Sequence, residues 1–356
     1  MSMNVADVMS WGESVARTAR ISAADLGARR LGELRRAVRD ERAAAAAEPL
    51  VVAVMGAPGV GKASLLNALF GTDFPVGGTK EPPGRPELRE STGNTGHILK
   101  FWDMPGMADS WAGRPAMLDA LITSDVVVWA CHADARPAGC EGARLRELLD
   151  SAGPDHARRV GGRIAAVLTK ADLLSPPPWI FDARGRRGSF VPGPALAARL
   201  ERRAARAEQA LLAPLGDLLT AATYPTADPE GRPAGILPAD DGRLRGDRHA
   251  VRYRGHFSGS VHERYRDAHP EHADVLGRLR DDHRVIPCSA RFRYNLPRLL
   301  LALATRVTPA AVFRFQRMLD DAAALAELPA SAVARHANLV RWDGERCRPA
   351  VAGPAC

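Results

Sequence analysis

Leu50-Val-Val-Ala-Val-Met55 runs directly into Gly56-Ala57-Pro58-Gly59-Val60-Gly61-Lys62-Ala63-Ser64 and then Leu65-Leu-Asn-Ala-Leu-Phe-Gly71, and the reading of this stretch decides the fold. The first six residues are apolar without alternation, the pattern of a strand buried on both faces. Leu65, Leu66, Leu69 and Phe70 recur at helical spacing. Strand, glycine loop and helix in that order predict a unit whose loop amides and helix N-terminus face an anion. The glycines let N–H groups turn inward around phosphate oxygens, and Lys62 reaches the terminal phosphates. A bare glycine turn is the competing reading, and the strand and helix on either side argue against it.

The residue after the lysine departs from the usual pattern. Ser or Thr there gives a hydroxyl to Mg²⁺, whereas Ala63 gives a methyl. Ser64 is turned about 100° further round the helix and suits the α-phosphate better than the missing metal position. Nucleotide binding is therefore expected to survive better than fast hydrolysis.

Asp103 follows 41 residues after Lys62, where the strand expected at 97–102 ends in Asp-Met-Pro-Gly106. A carboxylate at that strand end can hold Mg²⁺ through water, and the Gly106 amide can approach a γ-phosphate and sense its loss. Further strands are expected at 126–131 and 164–168, the second running into Thr169-Lys170-Ala171-Asp172. An Asp in such a loop accepts from N1–H and the exocyclic amine of guanine, two donors that adenine does not present together. The Lys170 stem suits the base plane. A short apolar strand at 285–288 leads to Ser289 and Ala290, whose backbone amides suit guanine O6.

On these motifs residues 50–175 and 285–300 resemble the translation-factor-related P-loop GTPases, in particular the Era-like branch. GKASLLNALFG, DMPG, VVVWACHAD, LTKADLL and CSAR resemble bacterial GTPases of the YfjP/YeeP kind, and FWDMPG is similar to the immunity-related GTPases. The resemblance implies an α/β nucleotide-binding domain, GTP and GDP as ligands, and a switch cycle; Mg²⁺ is the expected cofactor, held weakly because Ala63 replaces the metal-binding hydroxyl. It also implies a threonine in the first switch that closes over Mg²⁺. Thr79, in the Gly/Pro-rich loop VGGTKEPPGRP, is the choice over Thr92 and Thr95, which stand close to the 97–102 strand. Thr169 stands where Asn is more usual, and its hydroxyl can also brace the phosphate loop. Met107 follows DMPG where a glutamine would position the attacking water, so turnover is expected to be slow or assisted in trans.

The remainder bounds the reading. The chain has 356 residues, 46% hydrophobic and 25% charged, which excludes disordered or collagen-like sequence. No apolar run reaches the roughly 18–20 residues of a spanning helix, and the N-terminal stretch lacks the build of a secretion signal. Five cysteines without a CxxC pair read as reduced thiols rather than a zinc site or disulfide framework, so a cytoplasmic location is expected, peripheral at the membrane at most. The net charge of +8 lies outside residues 49–175 and mostly toward the C-terminus. Solvated arginine-rich helices are its ordinary explanation; nucleic acid, an anionic membrane surface, a homodimer or a protein effector stay open as partners. Only four of the 49 basic residues are lysines (Lys62, Lys80, Lys100 and Lys170), and two of them fall in the motifs above.

The expected architecture is a three-layer α/β domain with a mostly parallel sheet, plus flanking and inserted helical segments. Residues 1–48 form an N-terminal helical segment, 49–175 with 285–300 the nucleotide domain, 176–284 an insertion, and 301–356 a C-terminal helical segment. Within the insertion, helices are expected near 194–222 and 259–284, and six histidines there read as solvated. The function expected is a GTP-binding switch with slow or assisted hydrolysis; a hydrolysis-deficient guanine-nucleotide module and an RNA- or ribosome-associated GTPase are the alternatives.

Overall fold

The computed structural model describes residues 48–77, 85–92, 98–105, 113–135, 140–174, 179–182, 189–223, 242–246, 251–308, 311, 314–315, 340–342 and 347–349. The N-terminal helical segment expected for residues 1–48 falls outside them apart from Glu48.

The apolar run at Leu50–Met55 is strand β1 and lies in the interior of a six-stranded sheet. The other strands of this sheet are β2 (Glu87–Thr92), β3 (Ile98–Asp103), β4 (Val126–His132), β5 (Ile164–Thr169) and a short pair of residues, Ile286–Pro287. Their spatial order is β2-β3-β1-β4-β5 and then Ile286–Pro287. Every neighbouring pair is parallel except β2 with β3, where Glu87 faces Asp103 and Thr92 faces Ile98. Because successive side chains leave opposite faces, Val52 and Val54 point to one core and Ala53 and Met55 to the other. Helix α1 (Lys62–Phe70) covers the first face with Leu65, Leu66, Leu69 and Phe70. On the opposite face lie α2 (Arg114–Thr123), α3 (Glu141–Asp150), α4 (Pro154–Gly161) and α5 (Pro194–Leu211). The result is the three-layer arrangement anticipated for a P-loop α/β fold.

Asp125 fastens the start of β1 to the far end of the chain. Its carboxylate accepts from the Val51 amide at 2.9 Å, the Thr308 hydroxyl at 3.0 Å and Arg314 at 2.9 Å.

The insertion is less helical than expected. The stretch 194–222 is α-helix to Leu211 and 3₁₀ helix over Ala213–Leu218, kinked at Gly216 (φ 48°, ψ −115°), after which the chain becomes strand β6 at Thr220–Thr223. That strand pairs antiparallel with Val251–Arg254, which in turn pairs with Leu244–Gly246. The 259–284 stretch is two helices, α6 (Gly259–Ala268) and α7 (Ala273–His283), separated at His269-Pro270, where proline lacks an amide for the helix ladder. Tyr253, Phe257, Tyr265, Leu276 and Leu279 give this part a core of its own.

A second sheet joins Trp179–Asp182 to Ser189–Pro192 and to Val340–Trp342, which pairs with Cys347–Pro349. The C-terminal segment expected as helical from residue 301 is therefore helical in α8 (Leu296–Ala304) but contains two strands near its end. Three-residue strands of this length carry too little alternation to be read from sequence.

Candidate functional site

The loop between β1 and α1 lies at the C-terminal end of the sheet, where open α/β folds place ligands. Gly56, Gly59 and Gly61 adopt φ of 141°, 71° and 102°. At Gly56 the requirement is steric as well, since a Cβ there would lie 2.2 Å from the Ala130 carbonyl oxygen. Ala57, Pro58 and Gly59 are exposed and Val60 is buried beneath them. Gly61 caps α1 without a side-chain hydrogen bond, so the first amides of the helix keep their donors for a ligand. Such an arrangement of amides can take an oxyanion such as a phosphate group.

The Lys62 ammonium donates to the Gly56 carbonyl at 2.9 Å and lies 3.3 Å from Asp103 Oδ1. The second contact is ionic only: Oδ1 is buried and receives no hydrogen bond. The other carboxylate oxygen, Oδ2, is held by Arg89 of β2 at 3.1 Å. Arg89 also stands 5.9 Å above the Phe101 ring and 3.3 Å from Glu87. Nothing in the motif reading singled out Arg89; the antiparallel pairing of β2 with β3 is what brings it to Asp103. Ala63 packs its methyl against the α1 core. These donors suit phosphate oxygens and do not suit a divalent cation: position 63 has no oxygen, and the nearby carboxylate already faces two cations. Among the described residues no group of three or more His, Cys, Asp or Glu is placed to hold a metal.

The loop after β5 closes the other side. The Thr169 hydroxyl lies 2.6 Å from the Val60 carbonyl oxygen and 3.0 Å from that of Cys131. Lys170 takes a left-handed conformation (φ 55°) and extends its stem past Gly61 to donate to the Gly59 carbonyl at 2.6 Å. The Asp172 carboxylate accepts from the Ser289 hydroxyl at 2.6 Å, and the same Ser289 oxygen accepts from the Phe292 amide at 3.0 Å. The Ala171 amide donates to the Cys288 carbonyl, which ties the two loops along their backbones. Ser289 therefore contributes its side chain. Its amide, expected to face a base, donates instead to the Tyr294 carbonyl at 3.2 Å, leaving Ala290 as the half of that pair whose amide is not used there.

His132, at the end of β4, was passed over inside VVVWACHAD. Burial and then the Lys170 ammonium lower its pKa below the ordinary histidine value, against the opposing pull of Asp134 and Asp172. Thr79 and Gly106, expected to close over the phosphates, lie outside the described residues, as does Met107. Of the insertion histidines, His269 and His272 sit near Glu271 at 3.6 Å and form no metal site. Two others are not solvated: His256 bonds to buried Glu208 at 2.9 Å, and His283 is itself buried between Ala222 and Arg306.

Comparison with known proteins agrees with this geometry. Residues 51–168 match the family model described as 50S ribosome-binding GTPase. GTPase Era of Geotalea uraniireducens is 29% identical over 130 residues, 35% of this chain and 40% of that protein. The tRNA modification GTPase MnmE of Methylococcus capsulatus is 38% identical over 99 residues, 26% of this chain and 22% of that protein. The chain thus spans well under half the length of either relative. Among solved structures, Era of Aquifex aeolicus bound to GDP and AlF4⁻ covers 72% of this chain and 56% of its own at 15% identity and a TM-score of 0.34. Toc33 of Arabidopsis thaliana with GDP and Mg²⁺ covers 50% and 69% at 18% identity and a TM-score of 0.32. The narrower likeness to YfjP/YeeP and immunity-related proteins stays a resemblance of motifs. Among the described residues no helix is long and apolar enough to cross a membrane. Residues 51–168 thus match a GTPase-domain family model, and this stretch is similar in sequence to parts of Era and MnmE.

Proposed function

We propose that the chain is a guanine-nucleotide-binding switch with slow or partner-assisted hydrolysis of GTP to GDP and phosphate. One observation carries this reading: the Lys170 ammonium donates to Gly59 while Asp172, two residues on, is clamped by Ser289. One short loop thereby spans from the phosphate cradle to a fixed carboxylate, the two ends a purine nucleotide needs. In this reading Lys62 and the amides of Gly56–Ser64 hold the phosphates, Asp172 accepts from the guanine N1–H and amine, the Lys170 stem covers the base and Ala290 faces its O6. Thr79 and Gly106 answer to the γ-phosphate, and Asp103 takes part in weak Mg²⁺ binding at most. The test is competition against a fluorescent GDP by GTP, inosine triphosphate and ATP. GTP is expected to win, with inosine triphosphate, which lacks the amine, weaker, and Asp172→Asn is expected to flatten the ranking. An unaltered ranking in that variant contradicts the base assignment.

A hydrolysis-deficient guanine-nucleotide module is the second reading, favoured by Ala63 and by the two cations on Asp103. Phosphate release separates the two. A switch turns over at a rate on the order of 10⁻³ s⁻¹ unaided, as unassisted GTPases do, whereas a module stays at the protein-free background. A polyanion partner such as RNA is favoured by a separate feature: Arg199, Arg202, Arg203 and Arg206 share one face of α5 and line one hollow. RNA binding that falls steeply with salt and is lost in R202E/R206E would establish it.

A further inference from the structure

The carboxylate that Mg²⁺ would need is already neutralised by the protein. Asp103 is half-buried on the α1 side of the sheet with its Oδ1 enclosed, the Arg89 guanidinium 3.1 Å from Oδ2 and the Lys62 ammonium 3.3 Å from Oδ1. The neighbouring position that would supply a hydroxyl to a metal is the methyl of Ala63. The two departures belong together. A buried carboxylate demands a counter-charge, and where a divalent ion is bound the ion provides it. Without the ion, Asp103 would draw Lys62 away from the phosphates. Arg89 removes that conflict by taking one carboxylate oxygen, and its planar guanidinium is anchored by Glu87 and by the Phe101 ring beneath it.

We infer that Arg89 is the built-in counter-ion of Asp103, that it frees Lys62 for the phosphates, and that nucleotide binding by this chain therefore does not depend on a divalent cation. The inference rests on the pocket being a nucleotide site. Arg89 is a positioning residue in this scheme, acting on phosphate through Asp103 and Lys62.

The experiment is titration of the full chain with GTP in excess magnesium and in excess EDTA, for the unaltered protein, Arg89→Ala, Arg89→Lys and the pair Arg89→Ala with Asp103→Asn. The unaltered protein is expected to change affinity by less than about threefold between the buffers. Arg89→Ala should bind about tenfold or more weakly in EDTA and regain most of that in magnesium, because the cation then takes over the counter-charge. Arg89→Lys keeps a positive charge and should stay close to the unaltered protein. Removing the carboxylate as well should restore binding in EDTA, a rescue that a merely structural role for Arg89 does not predict. The inference is overturned if the unaltered protein loses about tenfold or more in EDTA, or if Arg89→Ala matches it there, or if Asp103→Asn fails to rescue a folded Arg89→Ala protein. Absence of GTP binding by the unaltered protein in both buffers overturns the nucleotide reading itself; binding confined to magnesium overturns only the inference.

Discussion

The Thr169 hydroxyl stands 2.6 Å from the Val60 carbonyl oxygen and 3.0 Å from the Cys131 carbonyl oxygen, so one side chain on β5 couples the phosphate loop to the end of β4. All three residues are buried. Thr169→Val keeps the shape and removes the donor, leaving two carbonyls without it. Chemical denaturation should show a loss of about 1–3 kcal/mol, and GTP should bind about tenfold more weakly as the loop loosens. Thr169→Asn, which restores a donor, should keep most of the binding. Unchanged stability and affinity in Thr169→Val would show that the brace is idle.

The first two glycines of the loop should respond differently. Gly56→Ala sets a Cβ 2.2 Å from the Ala130 carbonyl at φ 141° and should abolish nucleotide binding or folding. Gly59→Ala meets nothing within 4 Å and pays only for its φ of 71°, about 1 kcal/mol. Thermal melts and GTP titrations of both variants check this, and equal damage from the two would contradict the packing described.

His283 gives the insertion a pH dependence. Arg306 can only donate, so His283 Nδ1 accepts from it at 2.7 Å, while Nε2 lies against the Ala222 backbone, 2.9 Å from the amide and 3.1 Å from the carbonyl oxygen. Burial first, and then the Arg306 charge, hold the imidazole pKa well below 6.5. Between that lowered value and about 6.5 the unfolded chain binds a proton that the folded chain does not, so folded stability falls as pH falls. The contribution is complete above about pH 6.5 and is lost below it, by at most about 1.4 kcal/mol per pH unit from this group. Melting temperature measured from pH 8 to pH 5 should decline on the acid side. His283→Gln should flatten that decline, and an unchanged slope would assign it elsewhere.

Thiol reactivity should follow burial. Burial, and then the Glu141 carboxylate, push the Cys131 thiol up to about 12, and burial raises Cys288 further still. Cys140 is exposed. Iodoacetamide labelling followed by peptide mass spectrometry should modify Cys140 in native protein and reach Cys131 and Cys288 only after denaturation. Early labelling of Cys288 would mean that the loop holding Ser289 opens readily.

The central sheet was legible because β1, β4 and β5 are continuous apolar runs, and β1, β3 and β5 each lead into a motif whose chemistry fixes its end. β1, β3, β4 and β5 begin and stop within a residue of expectation for that reason. β2 was not named, because Glu-Leu-Arg-Glu-Ser-Thr is a polar edge strand whose pattern does not differ from a loop. Arg89 was missed with it: its meaning comes from facing β3 across the sheet, a relation between residues 14 apart in sequence that no local pattern carries. Ser289 was found by position but misjudged in role, since the bridge to Tyr294 that occupies its amide is a tertiary event. The helix expected through residue 222 failed at a kink at Gly216, where β-pairing of Thr220–Thr223 with Val251–Arg254 overrides the helical propensity of an Ala- and Leu-rich run.

The most direct test of the central claim is calorimetric titration of the purified chain with GTP, GDP and ATP. With Asp172 proposed as the residue that chooses the base, one binding site is expected, with GTP and GDP in the micromolar range or tighter and ATP at least about a hundredfold weaker. Binding of ATP within about threefold of GTP, or no heat from any guanine nucleotide, would contradict the account.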